Sequence, residues 1–186
     1  MNHMIKMNAK ALRTSEADPE VAKSIPKNPV TIICDNVLDT YNVGSIFRLA
    51  DAVAAEKVIL TGETLTPPNS RIKKASINTW QWVNWEYRES AVDAIRNLRA
   101  ENPDIQIVSV EQDERSVSFE KAEYRFPLAI IVGNETRGVT KDVLDMSDII
   151  VEMPMWGINV SLNVMVSCGI ILYEIMKQRR TIPAKH

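Results

Sequence analysis

The chain has 186 residues, 45% of them hydrophobic and 25% charged, with 22 Lys+Arg against 24 Asp+Glu for a formal net charge of −2. That length suits one domain, and such a chain buries roughly 70% of its unfolded surface, so its core needs no disulfide or metal staple. The scarce residues exclude more: the two histidines, His3 and His186, both lie within three residues of a chain end, which argues against histidine catalysis.

Cys34 and Cys168 stand alone in apolar runs without CxxC spacing. They read as buried, reduced thiols of a cytoplasmic protein, and zinc fingers, redox pairs and disulfide scaffolds are poorly supported. No metal site is expected. No apolar run of 18 residues is present and charges punctuate the first 29 residues, so neither a membrane span nor a signal peptide is expected. The bulk charge does not mark a nucleic-acid binder, although a local basic patch would suffice.

Residues 1–29 mix Lys6, Lys10, Arg13, Lys23 and Lys27 with Glu16, Asp18, Glu20 and three prolines, the pattern of a mobile or loosely docked arm. From Val30 onward short Val/Ile-rich runs appear at 30–34, 57–60, 105–110, 128–132 and 148–151, each too short for a helix. Helical patterns fall between them at about 42–54, 90–101, 140–147 and 161–179. This alternation predicts an α/β domain over 30–180 with a mostly parallel sheet flanked by helices, followed by a short tail at 181–186. The last helix is apolar nearly all round, from Leu162 to Met176. A helix without a polar face has to be covered on every side, which points to a homo-oligomer.

Three of the six glycines, Gly133, Gly138 and Gly157, adjoin predicted strand ends, where open parallel sheets bind ligands. Val139-Thr140 follows Gly138 where a nucleotide-triphosphate loop needs Gly-Lys-Ser/Thr, and no GxGxxG opens a helix. Triphosphate and dinucleotide binding are therefore disfavoured, and a flavodoxin-like binding domain lacks its phosphate loop.

Three blocks in order carry a sharper signal. They are Asn36-Val-Leu-Asp-Thr-Tyr-Asn42-Val-Gly-Ser-Ile-Phe-Arg48, then Ile131-Val-Gly133-Asn-Glu135-Thr-Arg-Gly138, then Val151-Glu-Met-Pro154-Met-Trp-Gly157-Ile-Asn-Val-Ser161-Leu-Asn163-Val. Together they resemble the signature motifs of the SpoU or TrmH-like 2′-O-ribose RNA methyltransferases of the SPOUT superfamily, over about residues 30–180. The resemblance implies a parallel α/β sheet with a C-terminal trefoil knot, a homodimer, and S-adenosylmethionine bound in the knotted loops.

By the same resemblance, the cofactor site comprises Val110, Glu111, Gly133, Asn134, Met153, Gly157 and Leu162, with Gly133 there to let backbone approach the ligand closely. Arg48 matches the catalytic arginine. It could hold the phosphate beside the target ribose or take the 2′-hydroxyl proton, and a guanidinium pKa above about 12 favours the phosphate and electrostatic role. Glu135 is expected to orient Arg48 or Asn42. Ser161 and Asn163 open the last helix and belong to the active site, with helix capping as the plainer use of Ser161.

Arg71, Lys73, Lys74 and Arg88 surround Trp80, Trp82, Trp85 and Tyr87, a basic and aromatic stretch suited to RNA phosphates and unpaired bases. Alternating Trp80 and Trp82 also fit a strand packed in the core or at a dimer interface. A tRNA substrate, with a D-loop guanosine as the target, is the leading expectation. The alternatives are an rRNA substrate or a catalytically silent knotted dimer that binds RNA.

Overall fold

A computed structural model describes residues 6–181, without the side chains of Arg180 and Thr181. His3, His186 and the tail 182–186 lie outside the described residues. Helices α1 (Ala9–Thr14) and α2 (Pro19–Ser24) precede β1 (Asn28–Asp35), α3 (Thr40–Ala52), β2 (Ala55–Thr61), α4 (Ser70–Ser76), β3 (Trp85–Arg88) and α5 (Ala91–Glu101). Then follow β4 (Gln106–Val110), β5 (Val117–Ser118), β6 (Leu128–Gly133), α6 (Lys141–Asp145), β7 (Ile149–Glu152) and α7 (Val164–Thr181).

The seven strands form one sheet in the order β3-β2-β1-β6-β4-β7-β5, and each neighbouring pair is parallel. Parallel strands covered on both faces need apolar residues at successive positions, and all six residues of β6 are buried. Alternate side chains serve opposite layers. Ile32 and Cys34 pack with Val43, Phe47, Ile72, Cys168, Ile171 and Ile175 on one face, whereas Ile33 and Ile59 pack with Ala94, Ile95, Val143 and Leu144 on the other. Helices α3, α4 and α7 thus cover one side, and α5 and α6 cover the other. Both cysteines are buried and unpaired; burial raises the Cys34 thiol and pushes that of Cys168 up to about 12, which keeps both inert.

The expected alternation is present, with corrections at its edges. Strand β3 and the short β5 were not anticipated. Trp80 and Trp82 do not lie on a strand: a single 3-10 turn occupies Thr79–Gln81, and both tryptophans are half-buried. The last helix begins at Val164 rather than at 161, and its covering is one-sided. Cys168, Ile171, Leu172 and Ile175 are fully buried, whereas Val166, Ile170 and Tyr173 are exposed.

The segment before β1 rests on the turn after α4. The Asn78 side-chain amide donates to the carbonyls of Leu12 and Arg13 at 2.9 and 3.2 Å, and Ala17 N donates to Gln81 Oε1 at 2.9 Å.

Candidate active site

Chain connections leave β1 toward β2 on one side while β6 lies on the other, so the sheet reverses direction beside β1, and open α/β sheets bind ligands at the carboxyl ends next to such a reversal. A cavity of about 510 Å³ opens there. Val110 and Glu111 at the end of β4, Gly133 and Asn134 at the end of β6, Met153 after β7 and Leu162 before α7 all line it. Six of the seven expected cofactor residues are therefore brought together from four chain segments. Gly157 is not among them: it sits on an exposed loop with open space where a Cβ would point. The cavity falls within the usual range of about 300–1,000 Å³ for small-molecule sites, and its mixture of apolar side chains with a few polar groups suits a nucleoside-sized ligand.

A Cβ on Gly133 would run into the backbone of Gly138 and Val139, so glycine is already required there for the loop to fold onto its own strand. The loop is then held at every turn. Asn134 and Gly138 exchange backbone hydrogen bonds at 3.0 and 2.9 Å, and the Asn134 side chain accepts from Thr136 N and Arg137 N, both at 2.9 Å. Glu111 accepts from Val139 N at 2.8 Å. Buried Asp35, at the end of β1, accepts from both Thr140 N and Thr140 Oγ1 at 2.8 Å.

Asn36 ties three segments together. Its backbone adopts a left-handed φ of 56°, its carbonyl accepts from Asn134 Nδ2 at 2.9 Å, and its Oδ1 accepts from Glu63 N at 3.0 Å. Its own amide donates to Asp35 Oδ1 at 2.8 Å.

At the cavity rim Glu135 accepts from Leu38 N and Asp39 N, both at 3.0 Å, and from Asn42 Nδ2 at 2.9 Å. Asn163 Nδ2 in turn donates to Asn42 Oδ1 at 3.0 Å. Three of the five expected catalytic residues thus form one relay of hydrogen bonds linking three chain segments far apart in sequence. Burial alone would raise the Glu135 carboxyl, but the Asn42 amide and the Leu38 and Asp39 N–H groups outweigh it and hold it below its ordinary range. Asn163 also caps α7, since its Oδ1 accepts from Met165 N at 2.9 Å. Ser161 therefore does not cap the helix; it is exposed, three positions ahead of it, although it lines the cavity.

Of the two partners expected for Glu135, the structure brings Asn42 and not Arg48. Arg48 follows Asn42 by six positions on α3, about 240° around the helix. It is exposed and has no hydrogen bond or ion pair among the described residues. Glu135 positions Asn42 and does not reach Arg48.

Residues 29–173 match the SpoU rRNA Methylase family. The chain belongs to this family. It is 33% identical over 154 residues to a tRNA (guanosine(18)-2′-O)-methyltransferase of Aquifex aeolicus (strain VF5), covering 80% of this chain and 69% of the relative. Against a 23S rRNA (guanosine-2′-O-)-methyltransferase of Ralstonia nicotianae it is 28% identical over 177 residues, covering 95% and 70%. Among solved structures, the A. aeolicus TrmH/SpoU tRNA modifying enzyme superposes with a TM-score of 0.75 at 30% identity, covering 93% of this chain and 83% of that one. An AdoMet-bound rRNA methyltransferase from Sinorhizobium meliloti superposes with a TM-score of 0.75 at 26% identity, covering 90% and 60%. No helix among the described residues is long and apolar enough to cross a membrane.

Within this family member the expected RNA cations divide. Arg71, Lys73 and Lys74 lie exposed on α4, without ion pairs among the described residues. Arg88 on β3 is paired with Glu86 at 3.2 Å. Trp80 and Trp85 pack against the core, and the indole N–H groups of Trp80 and Trp82 are buried without a partner, so these rings serve packing rather than an exposed stacking surface. Reasoning from sequence passed over Asp35 and took Asn36 only as the start of a block, without a role; both build the site from below. The available signal was a carboxylate and an amide closing a buried Val/Ile strand, where a polar pair has to be satisfied by something.

Proposed function

We propose that this chain transfers a methyl group from S-adenosylmethionine to the ribose 2′-oxygen of an RNA, with tRNA as the leading substrate and a D-loop guanosine as its target. The observation that carries this reading is the Glu135–Asn42–Asn163 relay at the rim of a nucleoside-sized cavity. An rRNA substrate is the second reading, favoured by the long alignment with the Ralstonia relative.

Val110, Glu111, Gly133, Asn134, Met153 and Leu162 would hold the cofactor, which supplies a methyl group already activated on a sulfonium. What remains for the protein is alignment, and holding two reactants in attack geometry accounts for up to about 7–11 kcal/mol of a barrier. Asn42 and Asn163, each held at both ends, fix the rim against which the ribose rests. Arg48 holds the adjoining phosphate and stabilises the 2′-oxygen as its proton passes to solvent. Ser161, on the cavity wall, is a hydrogen-bond partner for the ribose or the cofactor. Arg71, Lys73 and Lys74 give the RNA backbone a basic landing surface.

A single copy leaves Arg48 on the outer side of α3. This helix packs beside α7, with Leu49 against Gly169, and the exposed Val166, Ile170 and Tyr173 continue that face. A homodimer through this apolar strip would cover it. Residues 153–163 skirt the cavity, where Gln112 Nε2 donates to the Val160 carbonyl, and α7 then returns to α3. This course supports the trefoil knot that the family resemblance implies. The catalytic domain then spans 30–180, preceded by the 1–29 arm, and the protein works in the cytoplasm, where these RNAs are found.

The test is transfer of a labelled methyl group to bulk tRNA and to bulk rRNA, followed by isolation of an alkali-resistant dinucleotide. Calorimetric binding of S-adenosylmethionine without transfer to either RNA would overturn the catalytic reading in favour of a silent binder.

A further inference from the structure

The turn after β2 gathers a cation and a ring that the site above leaves unused. Arg137, two residues after Glu135, forms an ion pair with Glu63 in which both side chains are more than half exposed. The neighbouring residue, Gly62, accepts a hydrogen bond from the Tyr87 hydroxyl at 3.1 Å, and Tyr87 as a residue is 47% exposed. Gly62 N donates to the Arg88 carbonyl at 3.3 Å and Glu63 N to Asn36 Oδ1 at 3.0 Å, so the turn is fixed on both flanks. Through Asn36 it is joined to Asn134 and the cavity.

We propose that Arg137 and Tyr87, both seated on the Gly62–Glu63 turn, form a subsite for the nucleotide next to the methylated one. Arg137 leaves Glu63 to take the phosphate, and Tyr87 stacks the base. The inference rests on the RNA methyltransferase reading and names a contact that reading does not supply.

Three physical points support the assignment. An exposed ion pair is weak, about 0–1 kcal/mol, so a phosphate can displace Glu63 readily, and a guanidinium matches phosphate oxygens in a bidentate fork. Sequence-specific RNA sites take unpaired nucleotides whose bases stack on aromatic rings, and a tyrosine pinned by its hydroxyl offers its face without further ordering. Ring and guanidinium are anchored on adjacent residues of one turn, which places a phosphate contact and a stacking face on the same small element. Glu63 is then the counterweight that parks Arg137 until RNA arrives.

The experiment uses the full chain, labelled S-adenosylmethionine and bulk tRNA or rRNA, with RNA affinity followed by fluorescence anisotropy across a salt series. Arg137→Ala is expected to raise the KM for RNA by at least about tenfold with little change in kcat, as for loss of one charge-assisted contact. Its affinity for S-adenosylmethionine stays unchanged, and the slope of log affinity against log salt falls by about 0.7–0.9. Arg137→Lys recovers the salt slope. Glu63→Gln, which frees Arg137 in advance, lowers the KM. Tyr87→Phe, which keeps the ring and loses only the hydroxyl pin, weakens RNA binding less than Tyr87→Ala, which loses on the order of 5- to 100-fold.

An Arg137→Ala protein with wild-type KM and salt slope overturns the subsite. So does a Glu63→Gln variant that loses affinity as Arg137→Ala does, since the pair would then be structural, or a Tyr87→Phe variant as impaired as Tyr87→Ala. A wild-type protein that transfers methyl to neither RNA overturns the underlying reading, and the subsite with it; an active wild type with indifferent variants overturns the subsite alone.

Discussion

Replacing Glu135 by Gln preserves shape and removes one set of acceptors. In the native site Oε1 accepts from Asp39 N and Asn42 Nδ2, and Oε2 accepts from Leu38 N, all within 2.9–3.0 Å. A glutamine has to aim its NH₂ group at one side or the other, so it either confronts Leu38 N–H with a second donor or releases Asp39 and Asn42 together. Hydrogen bonds to a charged group contribute about 1.5–3 kcal/mol each, less where water can substitute. Glu135 is exposed, so we expect a net loss of about 2 kcal/mol in holding Asn42. That corresponds to roughly 30-fold in kcat, with cofactor affinity changed less than about threefold, because no Glu135 bond fixes the strand ends beneath the cavity.

The pH profile supplies a second readout. The carboxyl lies below its ordinary range, so its bonds are fully present above about pH 4.3, the usual glutamate value, and are lost as pH falls through the lower folded value. The native protein should lose activity only in that acid window, and Glu135→Gln should lack this limb. Single-turnover methyl transfer across pH measures both effects. A Glu135→Gln enzyme with native kcat would refute the claim that this carboxylate orients the site.

Asp35→Asn leaves the Asn36 amide facing another amide or strips the acceptor from Thr140. The expected loss is about 2 kcal/mol, seen as a melting temperature lower by about 4–8 °C for a domain of this size. Gly133→Ala drives a methyl group into the Gly138–Val139 backbone; the overpacking should cost about 1–3 kcal/mol of stability, seen as a lower melting temperature, with calorimetric S-adenosylmethionine binding weakened as the displaced loop leaves the cavity wall. Arg48→Ala removes no bond within the described chain, so its melting temperature should stay native while kcat falls by at least about a hundredfold, the usual scale for a lost electrostatic stabiliser. An Arg48→Ala variant within twofold of native activity would remove that residue from the mechanism.

How much of this was legible from sequence follows from burial. Strands β1 and β6 lie in the centre of the sheet, covered on both faces, and their runs of Val and Ile announce them. Strand β3 is an edge strand of sequence Trp-Glu-Tyr-Arg with no fully buried residue, so nothing in it distinguishes a strand from a loop. Helix α4 is short and owes its start to Asn69, whose side chain accepts from Arg71 N and Ile72 N; one cap without an apolar stripe is a faint signal. In the site, Asn42, Glu135 and Asn163 were legible because three blocks carry them in order. Their partnership was not, since spacing along the chain cannot tell which side of α3 faces the loop after β6. That ambiguity left Arg48 and Asn42 both open as partners of Glu135, and the fold selects Asn42. Gly157 was named for its block, yet its neighbours leave it in open solvent.

Asn36 has a further consequence. One residue gives its carbonyl to the loop that borders the cofactor cavity and its side-chain oxygen to the turn that carries Glu63, while its left-handed backbone leaves it few other conformations. Ordering one loop therefore lowers the entropy still to be lost by the other. The two ligands are then thermodynamically linked: whatever factor the cofactor contributes to the affinity for RNA, RNA returns to the affinity for the cofactor. An order of binding would follow from their cellular concentrations, with no dedicated gate.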